Sequence, residues 1–353
     1  MNGFEIGTYI FCGVVFGLLI YYISLKIINQ ITFGPRSTPK AKIDPLVNKS
    51  KIKILQYNVF WRPNIVHLNH KEYSTERSKE LLKVIDEYDI LCLDEAFAYI
   101  GSPLTDFIKA ARAKGFVYLA RSEPCEIFSL YVIDSGVLIL SKLPILSSDS
   151  IVYTLGCGSD MFMRKGAVYA KIQTSPNSHI NLFATNLQSN YVGGELDTRT
   201  VRNQQLRELL AFIRRTSIDS YPILIAGNLN INANNKTTIG KLGKTEYDRI
   251  WNNLQLDQYS LVDLSYENEN SSISHSVTFG EDEKYLTPNL LVGSNQCIDY
   301  IMLFRYENGA LIVDNQRTTV EKMETNGKHP YTHISNHYAL KCELELKHAA
   351  DQV

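Results

Sequence analysis

One short stretch near the middle of the chain constrains its fold most strongly. Residues 223–226 form the apolar run Ile-Leu-Ile-Ala, and Gly227, Asn228, Leu229 and Asn230 follow it directly. A short aliphatic run without alternation is typical of a strand that is buried on both faces. Residues two apart in a strand point to the same side, so Asn228 and Asn230 are predicted to face one spot beyond the strand end. Buried amides need partners, and the stretch therefore favours either a site or an Asn-rich turn.

Similar apolar runs recur along the chain and alternate with helical patterns. Apolar residues at helical spacing predict helices at 76–88, 104–114 and 198–215. Many short strands, few helices and polar residues at strand ends are typical of one layered, mixed α/β domain. The remaining strands are expected within residues 52–59, 89–97, 135–145, 166–172, 181–188, 297–303 and 338–344.

The composition argues against nucleic acid as the partner. The chain has 353 residues, of which 44% are hydrophobic and 21% charged, with a net charge of -1. These values are those of a globular protein without the basic excess that nucleic-acid binding requires. The six cysteines have no metal-ligand spacing and indicate core residues in a reducing compartment, with a Cys125–Cys157 bridge as the alternative.

The first 28 residues predict a membrane anchor. Residues 8–24 are nearly all apolar, and with the residues up to Ile28 they approach the ~20 that a helix needs to cross a bilayer. Glu5 is the single early charge and no small-residue cleavage site follows, which favours an anchor over a cleaved signal peptide. Basic residues such as Lys26 and Arg36 follow the run, so the C-terminal part is expected in the cytosol of a single-pass membrane protein.

The rest of the chain divides into three parts. Residues 29–50 contain three prolines and several lysines without a hydrophobic period, and predict a basic tether or a solvated linker. Residues 51–346 form the predicted globular domain. Residues 347–353 are the expected tail.

Polar residues that a core does not favour gather at the ends of the predicted strands. Several such residues together indicate a shared cleft. One carboxylate with amide oxygens suits a hard metal ion, and an aspartate beside a histidine strengthens that histidine as a base towards water. The residues are Asn58, Glu95, Asn186, Asn228, Asn230, Asp299, Asn336 and His337.

Seven short motifs contain these residues and follow one another along the chain: Gln56-Tyr57-Asn58-Val59, Leu93-Asp94-Glu95-Ala96-Phe97, residues 135–145, Thr185-Asn186-Leu187-Gln188, Ala226-Gly227-Asn228-Leu229-Asn230, Ile298-Asp299-Tyr300-Ile301 and Ile334-Ser335-Asn336-His337-Tyr338. In these motifs and their order the chain resembles the endonuclease/exonuclease/phosphatase superfamily, and within it most closely the neutral sphingomyelinases. The resemblance implies a DNase I-like fold, a four-layered α/β/β/α sandwich, after the N-terminal transmembrane helix. It also implies phosphodiester hydrolysis that depends on Mg²⁺, with Mn²⁺ as the alternative metal.

The resemblance also implies roles for these residues. Glu95 and Asn58 would hold the metal. Asn230 would orient the phosphate or the attacking water. Asp299 would pair with His337, the general base.

Three positions depart from the family pattern. Asn228 takes the position of the aspartate in the family motif Gly-Asp-x-Asn. Asn336, which the resemblance places beside the metal, takes the position of the aspartate in the family motif Ser-Asp-His. Asn186, a predicted catalytic residue, takes the position of the histidine in the Thr-His-Leu-Gln motif of sphingomyelinases. An amide neither accepts a proton nor balances the charge of a cation.

Two functions therefore compete. The first is a membrane-anchored phosphodiesterase that hydrolyses the headgroup of a phospholipid such as sphingomyelin. The second is a weakened or inactive descendant that binds lipid or phosphate.

Other side chains near the predicted cleft have two interpretations each. Arg202 is expected on a solvated helix face, with a phosphate contact as the alternative. Phe60, Trp61, Phe162 and Tyr191 either line a mouth that faces lipid or belong to the core, which is the more frequent place for aromatic residues.

Overall fold

The structure, a computed structural model, leaves the predicted anchor and the first part of the tether outside the residues it describes. Within the described part of the chain no helix is long and apolar enough to cross a membrane. The described residues are 37–63, 72–99, 101–123, 131–190, 197–217, 219–237, 243–265, 275–306, 309, 311–327 and 329–348.

The strands of the described residues form two mixed sheets of six strands each. They follow one another along the chain as β1 (Lys51–Trp61), β2 (Ile90–Ala96), β3 (Tyr118–Arg121), β4 (Leu138–Ser141), β5 (Ile145–Val152), β6 (Gly166–Ser175), β7 (Ser178–Asn186), β8 (Ile223–Asn228), β9 (Tyr259–Asp263), β10 (Asp299–Tyr306), β11 (Leu311–Glu321) and β12 (Ala339–His348). The first sheet has the order β11-β12-β1-β2-β4-β3, and the second has the order β5-β6-β7-β8-β10-β9.

Four helices cover the outer faces of the sheets in the described part of the chain. They are α1 (Ser74–Val84), α2 (Leu104–Ala113), α3 (Thr198–Thr216) and α4 (Asp248–Asn253), with short 3₁₀ turns at Ile85–Glu87 and Gly158–Phe162. Leu81 of α1 and Phe107 of α2 pack on Leu91 of the first sheet. Leu209 of α3 and Ile250 of α4 pack on the second sheet in the same way.

A third core fills the space between the two sheets, and β8 shows why its sequence does not alternate. Leu224 and Ala226 belong to the core between the sheets, whereas Ile223 and Ile225 belong to the core under α3 and α4. Full burial of each aliphatic side chain stabilises the fold by about 1.5–3 kcal/mol, so both faces of this strand must be apolar. The layers are helix, sheet, sheet and helix, and the predicted α/β/β/α sandwich is confirmed.

The described half of the predicted tether lies against the domain. The backbone N–H of Thr38 donates to the carbonyl of Leu119 at 2.7 Å, and that of Lys49 donates to the carbonyl of Thr174 at 2.8 Å. Residues 37–50 thus satisfy backbone carbonyls of β3 and β6 without forming a strand of their own. Cys157 is a free thiol, and Cys125 lies outside the described residues.

Candidate active site

The polar ends of three adjacent strands of the second sheet lie side by side. β7 pairs with β8 in parallel and places Asn186 opposite Asn228. β10 pairs with β8 in antiparallel orientation and places Asp299 opposite the same Asn228. All three side chains are at most 1% exposed. The register therefore brings one carboxylate and two amides to a single edge of the sheet.

Gly227 is required at the centre of this edge. Its φ angle is +152°, and a Cβ atom added there would lie 1.9 Å from the carbonyl oxygen of Thr185 on the neighbouring strand. Any larger residue would push β8 away from β7. The glycine at this position is thus explained by the close approach of the two backbones.

The first sheet contributes a second group of polar residues. β1 and β2 are parallel and place Asn58 opposite Asp94, so that Glu95 follows at the strand end. Glu95 has a φ angle of +52°, a left-handed conformation that non-glycine residues seldom adopt outside functional sites. The backbone N–H of Asn228 donates to Asp94 Oδ2 at 3.0 Å, and this bond connects the two sheets at the site.

His337 lies immediately before β12 and is hydrogen-bonded to Asp299. The distance from His337 Nδ1 to Asp299 Oδ2 is 2.8 Å, and both side chains are buried. Ser335 holds the preceding turn, because its hydroxyl donates to the carbonyl of Asn58 at 2.7 Å. Its oxygen also lies 3.4 Å from Oδ1 of Asn336, which is 3% exposed.

A buried lysine and two amides form the opposite wall. Lys165 Nζ lies 3.1 Å from Asn186 Oδ1 and 3.0 Å from Asp160 Oδ2, with which it forms an ion pair. The amide nitrogen of Asn230 donates to the carbonyl of Leu187 at 2.8 Å and to Asn186 Oδ1 at 3.3 Å. Among the described residues, Asn186 Nδ2 has no hydrogen-bond partner although it is buried. This unsatisfied donor points to a ligand oxygen in the site.

Both oxygens of Glu95 have partners. Arg62 Nε donates to Oε2 at 2.7 Å, Arg62 Nη2 donates to Oε1 at 3.3 Å, and the amide nitrogen of Asn58 donates to Oε1 at 3.1 Å. Burial alone would raise the pKa of Glu95, but the Arg62 charge and hydrogen bonds, with smaller contributions from His337 and Lys165, lower it to about 2. Glu95 is therefore a carboxylate at neutral pH.

Asp94 behaves in the opposite way. Burial and the nearby Asp299 raise its pKa well above the usual carboxyl range, although bonds from Gln56 and from the Asn228 backbone act against the shift. Two neighbouring buried carboxyl groups do not both ionise readily. Asp94 thus serves as an acceptor that joins the sheets rather than as a free anion.

The sequence pattern described as the Endonuclease/Exonuclease/phosphatase family matches residues 55–304. This chain belongs to the endonuclease/exonuclease/phosphatase family.

Proteins with similar sequences include a sphingomyelinase and a phospholipase C. A sphingomyelinase of Dictyostelium discoideum is 28% identical over 311 residues, which cover 75% of this chain and 66% of that relative. A phospholipase C of Staphylococcus aureus is 25% identical over 338 residues, covering 90% of this chain and 94% of the relative. A structure of a Staphylococcus aureus beta toxin variant with bound magnesium ions has a TM-score of 0.63, at 21% identity, and covers 83% of this chain and 99% of that one.

The site contains two oxygen donors of the kind that hold a hard metal ion. Glu95 offers a buried carboxylate and Asn58 an amide oxygen, which suit a hard cation. Asp299 Oδ1 is buried without a hydrogen-bond partner among the described residues. However, no group of three or more His, Cys, Asp or Glu side chains in the described part could hold a metal ion. Glu95 and Asn58 are thus oxygen donors of the kind that Mg²⁺ prefers, but in this structure Glu95 is paired with Arg62.

The structure brings together all eight residues that the sequence singled out, and it adds others. Sequence reasoning missed Arg62 as the partner of Glu95 and Asp160 as the partner of Lys165. The prediction of a solvated Arg202 was wrong, because this side chain is 1% exposed and bonds Glu246 at 2.7 and 2.9 Å. A polar residue on the outer face of a helix has the same sequence pattern whether it faces solvent or is covered by a loop.

Proposed function

We propose that this chain is a phosphodiesterase that hydrolyses the headgroup of a phospholipid such as sphingomyelin, with Mg²⁺ as its cofactor. The observation that carries the proposal is the buried Asp299–His337 pair beside Glu95 in a domain of this family. The lipid-cleaving activities named for similar family members support the choice of substrate class. The predicted anchor at residues 1–28 would hold the enzyme at the cytosolic membrane face.

His337 is the general base of the proposed mechanism. Its bond to Asp299 stabilises the tautomer with the proton on Nδ1, so that Nε2 is the basic nitrogen. Nε2 takes a proton from a water molecule, whose oxygen attacks the phosphorus atom. The bond from phosphorus to the lipid alcohol breaks, and the departing oxygen takes a proton from solvent.

The opposite wall positions the phosphate. The unpartnered Nδ2 of Asn186 is a donor for a phosphate oxygen, and Lys165 supplies a positive charge next to it. Asn230 fixes Asn186 and the neighbouring backbone. Mg²⁺, when held by Glu95 and Asn58, would polarise the phosphate and neutralise its developing charge.

An apolar rim beside the site supports a lipid as the substrate. Met161 and Phe162 are 52% and 50% exposed, and they lie between Asp160 and Lys165 in sequence. Val132, which is 50% exposed, donates its backbone N–H to the carbonyl of Phe162 at 2.7 Å. Exposed apolar residues in one place mark surfaces that contact other apolar matter.

A second function is favoured by other observations. Asn228 and Asn336 lack the carboxylates of the family pattern, and Glu95 is already paired with the guanidinium of Arg62. These features fit a protein that binds a lipid phosphate without hydrolysing it.

The two functions are separated by one assay on the full-length protein in mixed micelles. Release of phosphocholine from sphingomyelin is measured with Mg²⁺ and again with EDTA. The phosphodiesterase predicts release that His337→Ala reduces by about 10²-fold or more, since general-base catalysis contributes that much. Equal rates for the two proteins would refute the phosphodiesterase and leave the binding protein.

A further inference from the structure

The backbone that carries Arg62 is held in an unusual conformation. The pairing of β1 with β2 shifts between Asn58 and Trp61, and Phe60 in this bulge has a φ angle of +53°. The side-chain oxygen of Asn58 accepts the backbone N–H of Phe60 at 3.1 Å. A bulge of this kind redirects the residues that follow it. Here it brings Arg62 back towards the strand end, over the Phe60 ring at 4.3 Å.

A second arginine fixes that bulge. Arg77 of α1 is fully buried and donates to the carbonyls of Val59 at 2.7 Å, Phe60 at 2.6 Å and Ile334 at 2.8 Å. These three bonds tie the bulge to the helix and to the loop that carries His337. The position of the Arg62 backbone is therefore set by the core, whereas its side chain, at 27% exposure, remains accessible.

Arg62 occupies the carboxylate that a metal ion would need. The guanidinium forms two hydrogen bonds to Glu95, one to each oxygen, and this fork geometry is the strongest form of such a pair. Asp160 is paired with Lys165, and Asp299 is hydrogen-bonded to His337. Among the described residues of the site, each of these three carboxylates thus has an internal partner.

A fourth carboxylate lies close to Arg62 and has no such partner. Glu72 is 5% exposed, and neither of its carboxyl oxygens accepts a hydrogen bond from a side chain of the described residues. Burial raises its pKa to about 7, and the charges of Arg62 and Arg77 keep it from rising further. Arg77 holds the two segments together, because its Nε donates to the carbonyl of Glu72 at 2.8 Å and its Nη2 donates to the carbonyl of Phe60, two residues before Arg62. A buried carboxyl group without partners is costly, and a guanidinium would satisfy it.

We propose that Arg62 sets the divalent-cation affinity of the Glu95 site: guanidinium and cation exclude one another, and Glu72 accepts the guanidinium when the cation binds. The inference rests on the proposed function in taking Glu95 as the metal ligand. It makes the site a weak binder of cations by itself. It also gives Glu72 an indirect role in metal binding, because Glu72 acts through Arg62.

The test is a double-mutant cycle read out by Mn²⁺ affinity, measured by titration calorimetry on the full-length protein in detergent. Arg62→Met removes the competitor and keeps the side-chain length. Glu72→Gln removes the acceptor charge at nearly constant size. Arg215→Met is the matched control, because Arg215 forms an exposed ion pair with Asp149 on the surface.

We expect Arg62→Met to tighten Mn²⁺ binding about tenfold or more, since a forked, partly buried ion pair no longer has to be broken. Glu72→Gln should weaken binding about threefold or more in the presence of Arg62, and leave it within about twofold in the Arg62→Met background. Arg215→Met should leave the affinity unchanged. Unchanged affinity in Arg62→Met, or an equal effect of Glu72→Gln in both backgrounds, would overturn the inference.

Two further measurements separate this inference from misfolding and from the proposed function. Arg62→Met leaves Glu95 without its cation, so its unfolding temperature should fall in EDTA and recover with Mn²⁺ more than that of the wild type does. Failure of Mn²⁺ to recover it counts against the inference. If the Mn²⁺ pattern appears while sphingomyelin hydrolysis is absent, the proposed hydrolysis is wrong and the inference stands. If sphingomyelin is hydrolysed but the variants and the wild type have equal Mn²⁺ affinities, the inference is wrong and the proposed hydrolysis stands.

Discussion

Asn228 lies at the point where the two sheets meet at the site. Its backbone N–H donates to Asp94, its side-chain oxygen accepts the backbone N–H of Asn230 at 2.8 Å, and it stands opposite Asp299. An aspartate could accept the same bond from Asn230. It would also add a buried negative charge beside Asp94 and Asp299, which is unfavourable unless a cation is present.

The double variant Asn228→Asp/Asn336→Asp should therefore depend on metal more strongly than the wild type does. We expect its phosphocholine release with Mg²⁺ to rise by about 10²-fold, because one catalytic electrostatic contact contributes about 10²–10³ in rate. Its unfolding temperature should be lower than that of the wild type in EDTA. Rates are compared at saturating Mg²⁺ in mixed micelles.

The control is the same pair of substitutions in a His337→Ala background, where no rise is expected. A rise that survives the loss of His337 would contradict the assigned base. No rise in the His337 protein would show that the missing carboxylates alone do not limit the rate.

Some site residues could be predicted from the sequence and others could not. Asn58 and Glu95 lie near the ends of apolar strands and Asp299 begins one, and the ends of adjacent strands meet. Arg62 gave no such signal, because its direction depends on the left-handed turn at Phe60. A bulge changes the side to which all later residues point, and no periodicity announces it.

At the scale of the elements, the interior strands were predictable and the edge strands were not. The run of β8 is buried throughout, and its boundaries were predicted within two residues. β3, β5, β9 and β11 were missed as strands, and these four are the edge strands of the two sheets. β5 carries Ser147, Ser148 and Asp149 and is mostly half-buried, so it has no apolar run. Edge strands gain their conformation from pairing with a neighbour, which the local sequence does not show.

The loop that carries His337 is attached to another loop by one buried carboxylate. Glu283 is 1% exposed and bonds Thr332 Oγ1 at 2.7 Å. Burial would raise its pKa, but hydrogen bonds from His333, Thr332 and the backbone lower it to about 2. It also accepts four backbone N–H groups, two from each loop, which are those of Tyr285, Leu286, Thr332 and His333.

Glu283→Gln should destabilise the domain by about 2 kcal/mol at pH 7, since hydrogen bonds to a charged group contribute about 1.5–3 kcal/mol. The pKa of Glu283 is lower in the folded state than its ordinary value of 4.5. Its ionised form therefore stabilises the fold above about pH 5, and this stabilisation is lost as the pH falls towards 2. Denaturant unfolding between pH 7 and pH 3 should show the difference between the two proteins shrinking.

Glu281→Gln is the control on the same loop. Glu281 pairs with Lys322 at 2.7 Å, but both side chains are 37% exposed, and such pairs contribute less than about 1 kcal/mol. A loss of stability equal to that of Glu283→Gln would show that general loop charge, and not the buried acceptor, stabilises the attachment.

At the scale of the whole molecule, the site, the rim and the N-terminal entry share one end of the sandwich. β2 ends at the site, and β3 runs in the same direction because both are antiparallel to β4. Arg121 at the end of β3 is therefore at the site end, and its backbone N–H donates to Ser37 Oγ at 3.1 Å. A membrane segment before residue 37 would approach from this end. The predicted anchor and the proposed lipid site are thus compatible.

This arrangement predicts that the rim contacts lipid when the protein is in a membrane. Phe162 is half-exposed and at the site end, whereas Val117, 48% exposed, precedes β3 at the opposite end. Insertion of the exposed half of Phe162 into acyl chains would contribute about 1 kcal/mol. In full-length protein reconstituted into vesicles, Phe162→Trp should fluoresce at shorter wavelength and be quenched by lipids brominated on their acyl chains. Val117→Trp should show neither effect. Equal quenching at both positions, or at neither, would mean that the site end makes no preferential contact with the bilayer, and this outcome would count against lipid as the substrate.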